Sequence, residues 1–169
     1  MRRALSFLLI PIAYCKSVGW MLRILATGRM LERMVESAHD ELRKVYDELA
    51  VALEPFRRHC AARGICCNFA RTGHMLYLTD LEASEMARAG MAAESQSNDG
   101  VCPYLRGNLC GAREHRALGC RIYFCDRTYE EDRNALYERF LHRIREIEGS
   151  HGIAHSYRAV TSVDFKDFQ

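Results

Sequence analysis

The longest regular pattern in the chain is an apolar stripe that repeats at helical spacing from Leu31 to Leu53. Charged residues such as Glu32 and Lys44 occupy the other side, and Pro55 follows where the pattern stops. A period of 3.6 residues with one polar side predicts a long amphipathic helix whose stripe packs into a core. The stripe consists of Leu31, Met34, Val35, Ala38, Leu42, Val45, Tyr46, Leu49 and Leu53.

A second apolar stripe predicts another long helix near the end of the chain. Thr128 and Glu131 have the spacing of a capping box before it, and Gly149 suits the position just after its last turn. His142 falls on this helix as His39 does on the first, and we expect both histidines to face solvent. The second stripe consists of Leu136, Phe140, Leu141, Ile144 and Ile147.

Between the two helices the pattern predicts short elements only. Residues 75–78 are predicted to be extended, and Thr79 with Glu82 forms a capping box that opens a short helix ending at Gly90. The chain after Gly152 is again predicted to be extended. The sequence therefore predicts a mainly α fold, which becomes α+β if the extended segments pair as strands.

Length and composition indicate one folded domain. The chain has 169 residues, of which 49% are hydrophobic and 27% charged, with a net charge of +2. Residues 1–30 contain five basic residues and no acidic one, so the rest of the chain carries a net charge of −3. A mildly acidic body argues against a nucleic-acid-binding face.

The N-terminal segment is basic and apolar, but its apolar run is too short to span a bilayer, and Pro11 and Lys16 interrupt it. No clear cleavage site follows, so an export signal is disfavoured and a cytoplasmic location is expected. We divide the chain into a leader, residues 1–29, whose role is open, and a single domain, residues 30–169. The start codon is also open, because patterned sequence begins only near Met21 or Met30.

Seven of the eight cysteines fall within residues 56–127, in the spacing C-x5-C-C, then C-x7-C-x9-C-x4-C after a gap of 34 residues. Glycine precedes several of them, which favours turns in which backbone N–H groups approach sulfur. The same region has ten arginines, no lysine and seven acidic residues. The candidate metal ligands are Cys60, Cys66, Cys67, Cys102, Cys110, Cys120 and Cys125.

Three interpretations of these cysteines compete. Disulfides are disfavoured because the count is odd, Cys66 and Cys67 are adjacent, and export is doubtful. Inert buried thiols are disfavoured because such residues should fall in helices or strands, not in loops beside glycine. Thiolate ligation of zinc or iron is favoured, although the spacing matches neither C-x2-C zinc knuckles nor a ferredoxin run.

The motif order resembles that of the YkgJ-type cysteine-cluster family. The resemblance rests on Cys60-x5-Cys66-Cys67, on residues 76–82 and 100–105, on Cys110, and on residues 116–123, and it covers about residues 56–127. Members of that family are described as zinc- or iron-chelating, and flagellin lysine N-methylase carries a related domain. Ala117 stands where the family commonly has proline, and Cys125 matches only a subset of the family.

We therefore expect a metal-binding protein that holds zinc or an iron–sulfur cluster through cysteine thiolates. The candidate cofactors are zinc and iron, and a [4Fe–4S] cluster is one form that the iron could take. The number of metal sites is open, since seven thiols exceed the four that one site needs. The alternative is an iron–sulfur enzyme of the redox or protein methyl-transfer type that uses the same cluster. No residue is assigned a catalytic role, because the chain contains no P-loop, dinucleotide-binding, HExxH or GxSxG motif. His59, beside Cys60, and the pair His151 and His155 are weaker candidate ligands.

Overall fold

The apolar stripe of the first pattern lies on a helix longer than predicted. The computed structural model describes residues 13–56, 64–90, 100–123 and 129–168, and side chains within the first range from Gly28 onward except that of Arg29. Helix α1 spans Ala13–Leu53 and is followed by a 3₁₀ turn, Glu54–Phe56. The predicted end before Pro55 is confirmed, since proline cannot continue the hydrogen-bond ladder of a helix.

The chain forms two compact units, Met1–Glu36 and Ser37–Gln169. In the first unit the described residues belong to α1, and the side chains of Met30 and Leu31 are 64% and 63% exposed, with Met34 and Val35 also exposed. The expectation that the whole stripe packs into a core is therefore wrong for Leu31, Met34 and Val35. Periodicity identifies the apolar side of a helix, but it does not show how far along the helix a partner extends.

The second unit begins with the part of the stripe that is buried. There the C-terminal part of α1 packs with α3 (Asp80–Ala87), α4 (Leu118–Ile122) and α5 (Glu130–Ser150). The buried residues of this first core are Ala38, Leu42, Val45, Tyr46, Leu49, Leu53, Leu81, Leu118, Ile122, Phe140, Leu141, Ile144 and Ile147. The apolar stripe predicted for the last helix is confirmed by this cluster.

Short strands and one-turn helices build a second apolar core in the same unit. Strand β1 (Tyr77–Thr79) pairs antiparallel with β4 (Tyr157–Ala159), with Leu78 opposite Arg158. Strands β2 (Leu105–Arg106) and β3 (Leu109–Cys110) form a hairpin. Helix α2 (Phe69–Thr72) and 3₁₀ turns at Val160–Ser162 and Phe165–Phe168 also contribute to this second core. The prediction of a mainly α fold with a small β component is confirmed.

The helix caps separate correct local predictions from wrong ones. The capping box of Thr79 and Glu82 is present in both directions at the start of α3. Tyr129 is the N-cap of α5 and makes no side-chain cap bond, and Thr128, on which the second predicted box rests, lies outside the described residues. Gly149 lies inside α5, and Gly152 is the residue with a positive φ of 66°.

Two further predictions concern extended segments and membranes. The strand expected at residues 75–78 begins two residues later, at Tyr77, and the extended chain after Gly152 forms β4. Among the described residues, no helix has an apolar stretch long enough to cross a bilayer.

Candidate metal centre

A tight turn places Cys66 and Cys67 against the β2–β3 hairpin. Both lie in a 3₁₀ turn, Ile65–Cys67, that follows Gly64 at a φ of 63°. A Cβ atom on Gly64 would lie 3.1 Å from Leu105 Cδ1 and 3.2 Å from the backbone of Asn108. Because a side chain would meet the hairpin, glycine is what allows the turn to pack against the hairpin that carries Cys110.

Backbone pairing brings Cys102 to the same place from a distant part of the sequence. The Cys102 N–H donates a 2.8 Å hydrogen bond to the carbonyl of Cys67. Gly100, at a φ of 62°, lets this segment approach α2, since a Cβ there would lie 3.0 Å from that of Ala70. Two segments that the sequence separates by 34 residues are thus held together by main-chain contacts.

The sulfur atoms of these cysteines are close and are not bonded to each other. The described cysteines are free thiols, and the Sγ atoms of Cys66 and Cys67 lie 3.9 Å apart. A disulfide requires a separation of about 2.05 Å. Two thiolates on one tetrahedral zinc ion, each bonded at about 2.3 Å, lie about 3.8 Å apart. The spacing of Cys66 and Cys67 therefore fits two ligands of one ion.

Cys67 lies at the centre of the thiol group. Contacts with the sulfurs of Cys102, Cys110 and Cys66 raise the pKa of the Cys67 thiol. Contact with Cys67 lowers the pKa of the Cys66 thiol to about 6 and that of the Cys110 thiol to about 6. The positive charge of Arg116 acts in the same direction on both thiols. The contact with Cys67 also lowers the pKa of Cys102. Because the Cys67 thiol has one S–H, it can donate to only one neighbouring sulfur at a time, and the contact favours a thiolate at that neighbour.

Cys120 reaches the group from α4. Its thiol is buried, which raises its pKa well above the usual value, and the charges of Cys102 and Cys110 add to that shift. The start of α4 is fixed from a different element, because the Leu118 N–H donates a 2.6 Å hydrogen bond to Glu82 Oε1. Arg121 stacks on the ring of Tyr46 at 4.0 Å and donates to the carbonyl of Arg116.

Five of the seven predicted ligands thus line one cavity of about 400 Å³: Cys66, Cys67, Cys102, Cys110 and Cys120. Cys60 and Cys125, and also His59, lie outside the described residues. Among the described side chains as placed, no group of three His, Cys, Asp or Glu residues could hold a metal ion. The assignment of the cysteines as ligands stays a prediction.

One supporting argument from the sequence needs correction. Cys110 lies in β3 and Cys120 in α4, so the position of these cysteines does not by itself argue against inert thiols. The cysteine region also belongs to an apolar core. Cys102 is buried in the second core with Leu78, Met86 and Tyr104, and Cys67, Cys110 and Cys120 pack against it.

Aromatic rings form much of the remaining cavity wall. His74 stacks on Tyr123 with ring centroids 4.3 Å apart and meets Phe69 edge-on at 5.6 Å. Tyr77 and Tyr157 stack at 5.4 Å on another side. Burial lowers the pKa of His74, against the opposing effect of a hydrogen bond to the backbone of Cys66. Sequence reasoning did not select His74, because no pattern distinguishes it from the other histidines.

A buried carboxylate on α3, between two histidines, was also missed. Glu85 is 3% exposed and lies 2.8 Å from His39 Nδ1 and 2.8 Å from His115 Nδ1. The expectation that His39 faces solvent is wrong, since it is 2% exposed, whereas His142 is exposed as expected.

The two weaker histidine candidates each lie beside a carboxylate. His151 Nε2 lies 3.0 Å from Glu41 Oε1, and His155 Nδ1 lies 2.9 Å from the buried Glu148. Glu148 also accepts a hydrogen bond from the Leu81 N–H. These contacts give both histidines a structural role.

No family model, no curated protein and no solved structure matches the chain. The resemblance to the YkgJ-type family therefore stays a prediction that rests on the motifs alone.

Proposed function

We propose that the chain is a metal-binding protein that holds one zinc ion through thiolates centred on Cys67. The observation that carries the proposal is the approach of cysteines from separate segments to one cavity, with Cys66 and Cys67 at 3.9 Å. Soft sulfur ligands select zinc, iron–sulfur clusters or copper(I) over hard cations.

The sulfur spacing favours a single ion over a [4Fe–4S] cluster. In such a cluster each iron takes one cysteine, so that cysteine sulfurs on neighbouring irons lie farther apart than two ligands of one ion. The 3.9 Å spacing of Cys66 and Cys67 fits the shorter case. The spacing thus supports a single ion, and we propose zinc as that ion because zinc is the usual metal of closed four-thiolate sites.

The ligand set would consist of Cys66, Cys67, Cys102 and Cys110. These four are linked through the contacts of Cys67, and metal binding would replace its thiol hydrogen bonds by turning the sulfurs toward one point. The other candidate ligands are Cys60, Cys120 and Cys125, any of which could replace one of these four. Four thiolates around a divalent ion leave a net charge of about −2, which the nearby Arg116 would offset.

The enzymatic alternative keeps one observation in its favour. The thiol group shares its cavity with aromatic and apolar residues, and an adjacent pocket is what a catalytic metal site has and a closed structural site lacks. A bound ion would there supply Lewis-acid or redox chemistry.

Free thiols also agree with a reducing location, so we place the protein in the cytoplasm.

Metal analysis of anaerobically purified full-length chain tests the proposal. We expect about one zinc per chain, and cobalt(II) substitution should give sulfur-to-metal charge-transfer absorption. Cys67→Ser should abolish both signals, while Cys15→Ser, in the other compact unit, should leave them unchanged. Brown protein with iron and sulfide would favour the cluster instead. Protein that binds none of these metals would refute metal binding.

A further inference from the structure

Main-chain pairing sets two cysteines opposite each other. Asn68 and Val101 form an isolated antiparallel bridge. One position further along the same pairing, Cys67 lies opposite Cys102, and the Cys102 N–H donates its 2.8 Å hydrogen bond to the Cys67 carbonyl. Residues opposite each other in an antiparallel pair have Cα atoms about 4.5–5.5 Å apart. That separation lies within the range of about 4.4–6.8 Å that a disulfide requires.

The other described cysteines are less well placed to pair. Cys66 and Cys67 are neighbours in the chain, so their Cα atoms are about 3.8 Å apart, below the disulfide range. Cys110 lies opposite Leu105 in the β2–β3 hairpin, and Cys120 belongs to α4. Among the described cysteines, backbone pairing therefore sets no second pair opposite each other.

Cys67 is the more accessible member of the pair. It is half-buried, whereas Cys102 is 3% exposed, and both line the cavity of about 400 Å³. Hydrogen peroxide is little larger than a water molecule, which occupies about 30 Å³ in the liquid, so the cavity admits it. Cys102 need not meet the oxidant, because a resolving cysteine attacks a neighbouring sulfur that is already oxidised.

We propose that hydrogen peroxide oxidises Cys67 and Cys102 to a reversible disulfide and that this disulfide releases the metal ion. The inference rests on the proposed function, in which both sulfurs are thiolates, since only a thiolate is a metal ligand. An ion held by four sulfurs would lose two of them, and the two that remain do not complete a zinc site. The thiol group is then a switch that couples metal release to oxidation.

The oxidation consists of two displacements at oxygen and sulfur. The Cys67 thiolate attacks one peroxide oxygen, the O–O bond breaks, and a sulfenic acid and hydroxide form. The Cys102 thiolate then attacks the oxidised sulfur, the S–O bond breaks, and a second hydroxide leaves as the S–S bond forms. The two sulfurs have lost two electrons and the peroxide has gained them, and two protons from solvent convert the hydroxides to water.

Disulfide mapping of the full-length chain tests the pairing. Trypsin leaves Cys66 and Cys67 together in residues 64–71 and Cys102 in residues 89–106, and every other described cysteine falls in a further peptide. After one equivalent of hydrogen peroxide and alkylation of the remaining thiols, we expect mass spectrometry to find these two peptides cross-linked. No cross-link, or a main product in which residues 64–71 are linked internally or to another peptide, would overturn the proposal.

Two matched serine variants identify the sulfur within residues 64–71. Cys66→Ser should keep the cross-link, because Cys67 and Cys102 remain, whereas Cys67→Ser should abolish it. Both variants remove one sulfur from the same 3₁₀ turn, so general damage to that turn does not explain a difference between them. A cross-link that survives in Cys67→Ser, or that is lost in Cys66→Ser, would show that the assignment is wrong.

Zinc measured on the same samples separates this inference from the proposed function. A zinc-sensitive dye should report release of about one zinc per disulfide formed, and dithiothreitol followed by added zinc should restore the bound ion. A chain that holds zinc and forms no cross-link would refute this inference alone, and so would one that forms the cross-link and retains its zinc. A chain that forms the cross-link but contains no metal before oxidation would refute the proposed function instead.

Discussion

The backbone N–H of Leu118 donates a 2.6 Å hydrogen bond to the carboxylate of Glu82, 36 residues earlier in the chain. The same carboxylate accepts from the Thr79 N–H at 3.0 Å and from the Tyr46 hydroxyl at 3.0 Å. Glu82 is 1% exposed, so water does not compete for these bonds. One buried side chain thus caps α3, fixes the first residue of α4 and joins both to α1. Because α4 carries Cys120, this scaffold also positions one wall of the thiol cavity.

Replacing Glu82 by alanine should therefore destabilise the fold strongly. Glu82→Ala leaves the buried N–H groups of Leu118 and Thr79 without acceptors, and we expect a loss of about 2–4 kcal/mol in the free energy of unfolding. Glu82→Gln keeps one carbonyl acceptor and should cost less. Urea denaturation followed by circular dichroism measures both, with Glu138→Gln on the exposed side of α5 as the control. A Glu82→Ala variant as stable as the control would contradict the capping role.

Glu82 and Glu85 should affect the pH dependence of stability in opposite directions. Burial raises the pKa of Glu82. Burial also tends to raise that of Glu85, but hydrogen bonds to His39 and His115 outweigh it and lower the pKa. The stabilising contribution of Glu82 is then present below its unfolded pKa, about 4.3, and decreases as pH rises through the folded value. The contribution of Glu85 is present above about pH 4.3 and is lost as pH falls through its folded value.

Unfolding free energies at several pH values measure this contrast. Relative to the unmodified chain, Glu82→Gln should become less destabilising as pH rises above about 4.3. Glu85→Gln should become less destabilising as pH falls below that value. Parallel pH profiles for the two variants would show that one of the two carboxylates is not ionised as described.

Local patterns in the sequence predicted local structure, but they could not predict contacts between segments that are far apart in the sequence. The Thr79–Glu82 capping box follows from a spacing of three residues and was predicted correctly. The bond from Leu118 to that same Glu82 depends on how α4 packs, which no periodicity reveals. His39 lies on the buried side next to Ala38, and only its polar character suggested exposure.

The candidate site, too, was predicted from the sequence only in part. The choice of Cys66, Cys67, Cys102, Cys110 and Cys120 as one group follows from their density and their glycine contexts, and they do line one cavity. Which sulfur is central depends on the main-chain bond between Cys102 and Cys67 and on the β2–β3 hairpin. The position of the His74 ring between Tyr123 and Phe69 could not be predicted, since it results from ring stacking in the folded chain.

The corrected boundary of the α1 stripe gives a direct comparison of two leucines. Leu42 is 0% exposed, whereas Leu31 on the same helix is 63% exposed. Leu42→Ala should lower the free energy of unfolding by about 2–5 kcal/mol through lost burial and a cavity. Leu31→Ala should change it by less than about 0.5 kcal/mol, since alanine is also a good helix former. Equal losses measured by urea denaturation would mean that Leu31 is covered in solution.

Gly64 tests whether the contact between the cysteine turn and the hairpin matters for the thiol group. An alanine there must adopt a φ near 63° and place its Cβ 3.2 Å from the backbone of Asn108. Gly107, in the hairpin turn, has a φ of 57° with open space around it. Gly107→Ala therefore carries only the conformational cost of the left-handed backbone, about 1–2 kcal/mol. Gly64→Ala adds the steric conflict to that cost.

We therefore expect Gly64→Ala to be less stable than Gly107→Ala and to lose metal affinity, because the turn that carries Cys66 and Cys67 must move away from Cys110. Gly107→Ala should leave the proposed zinc affinity unchanged, since the open space at the hairpin tip leaves the cysteine positions unchanged. Thermal unfolding and competition for zinc with a coloured chelator measure the two effects separately. If both variants lose stability equally and keep zinc equally well, close packing of the turn on the hairpin does not set the arrangement of the sulfurs.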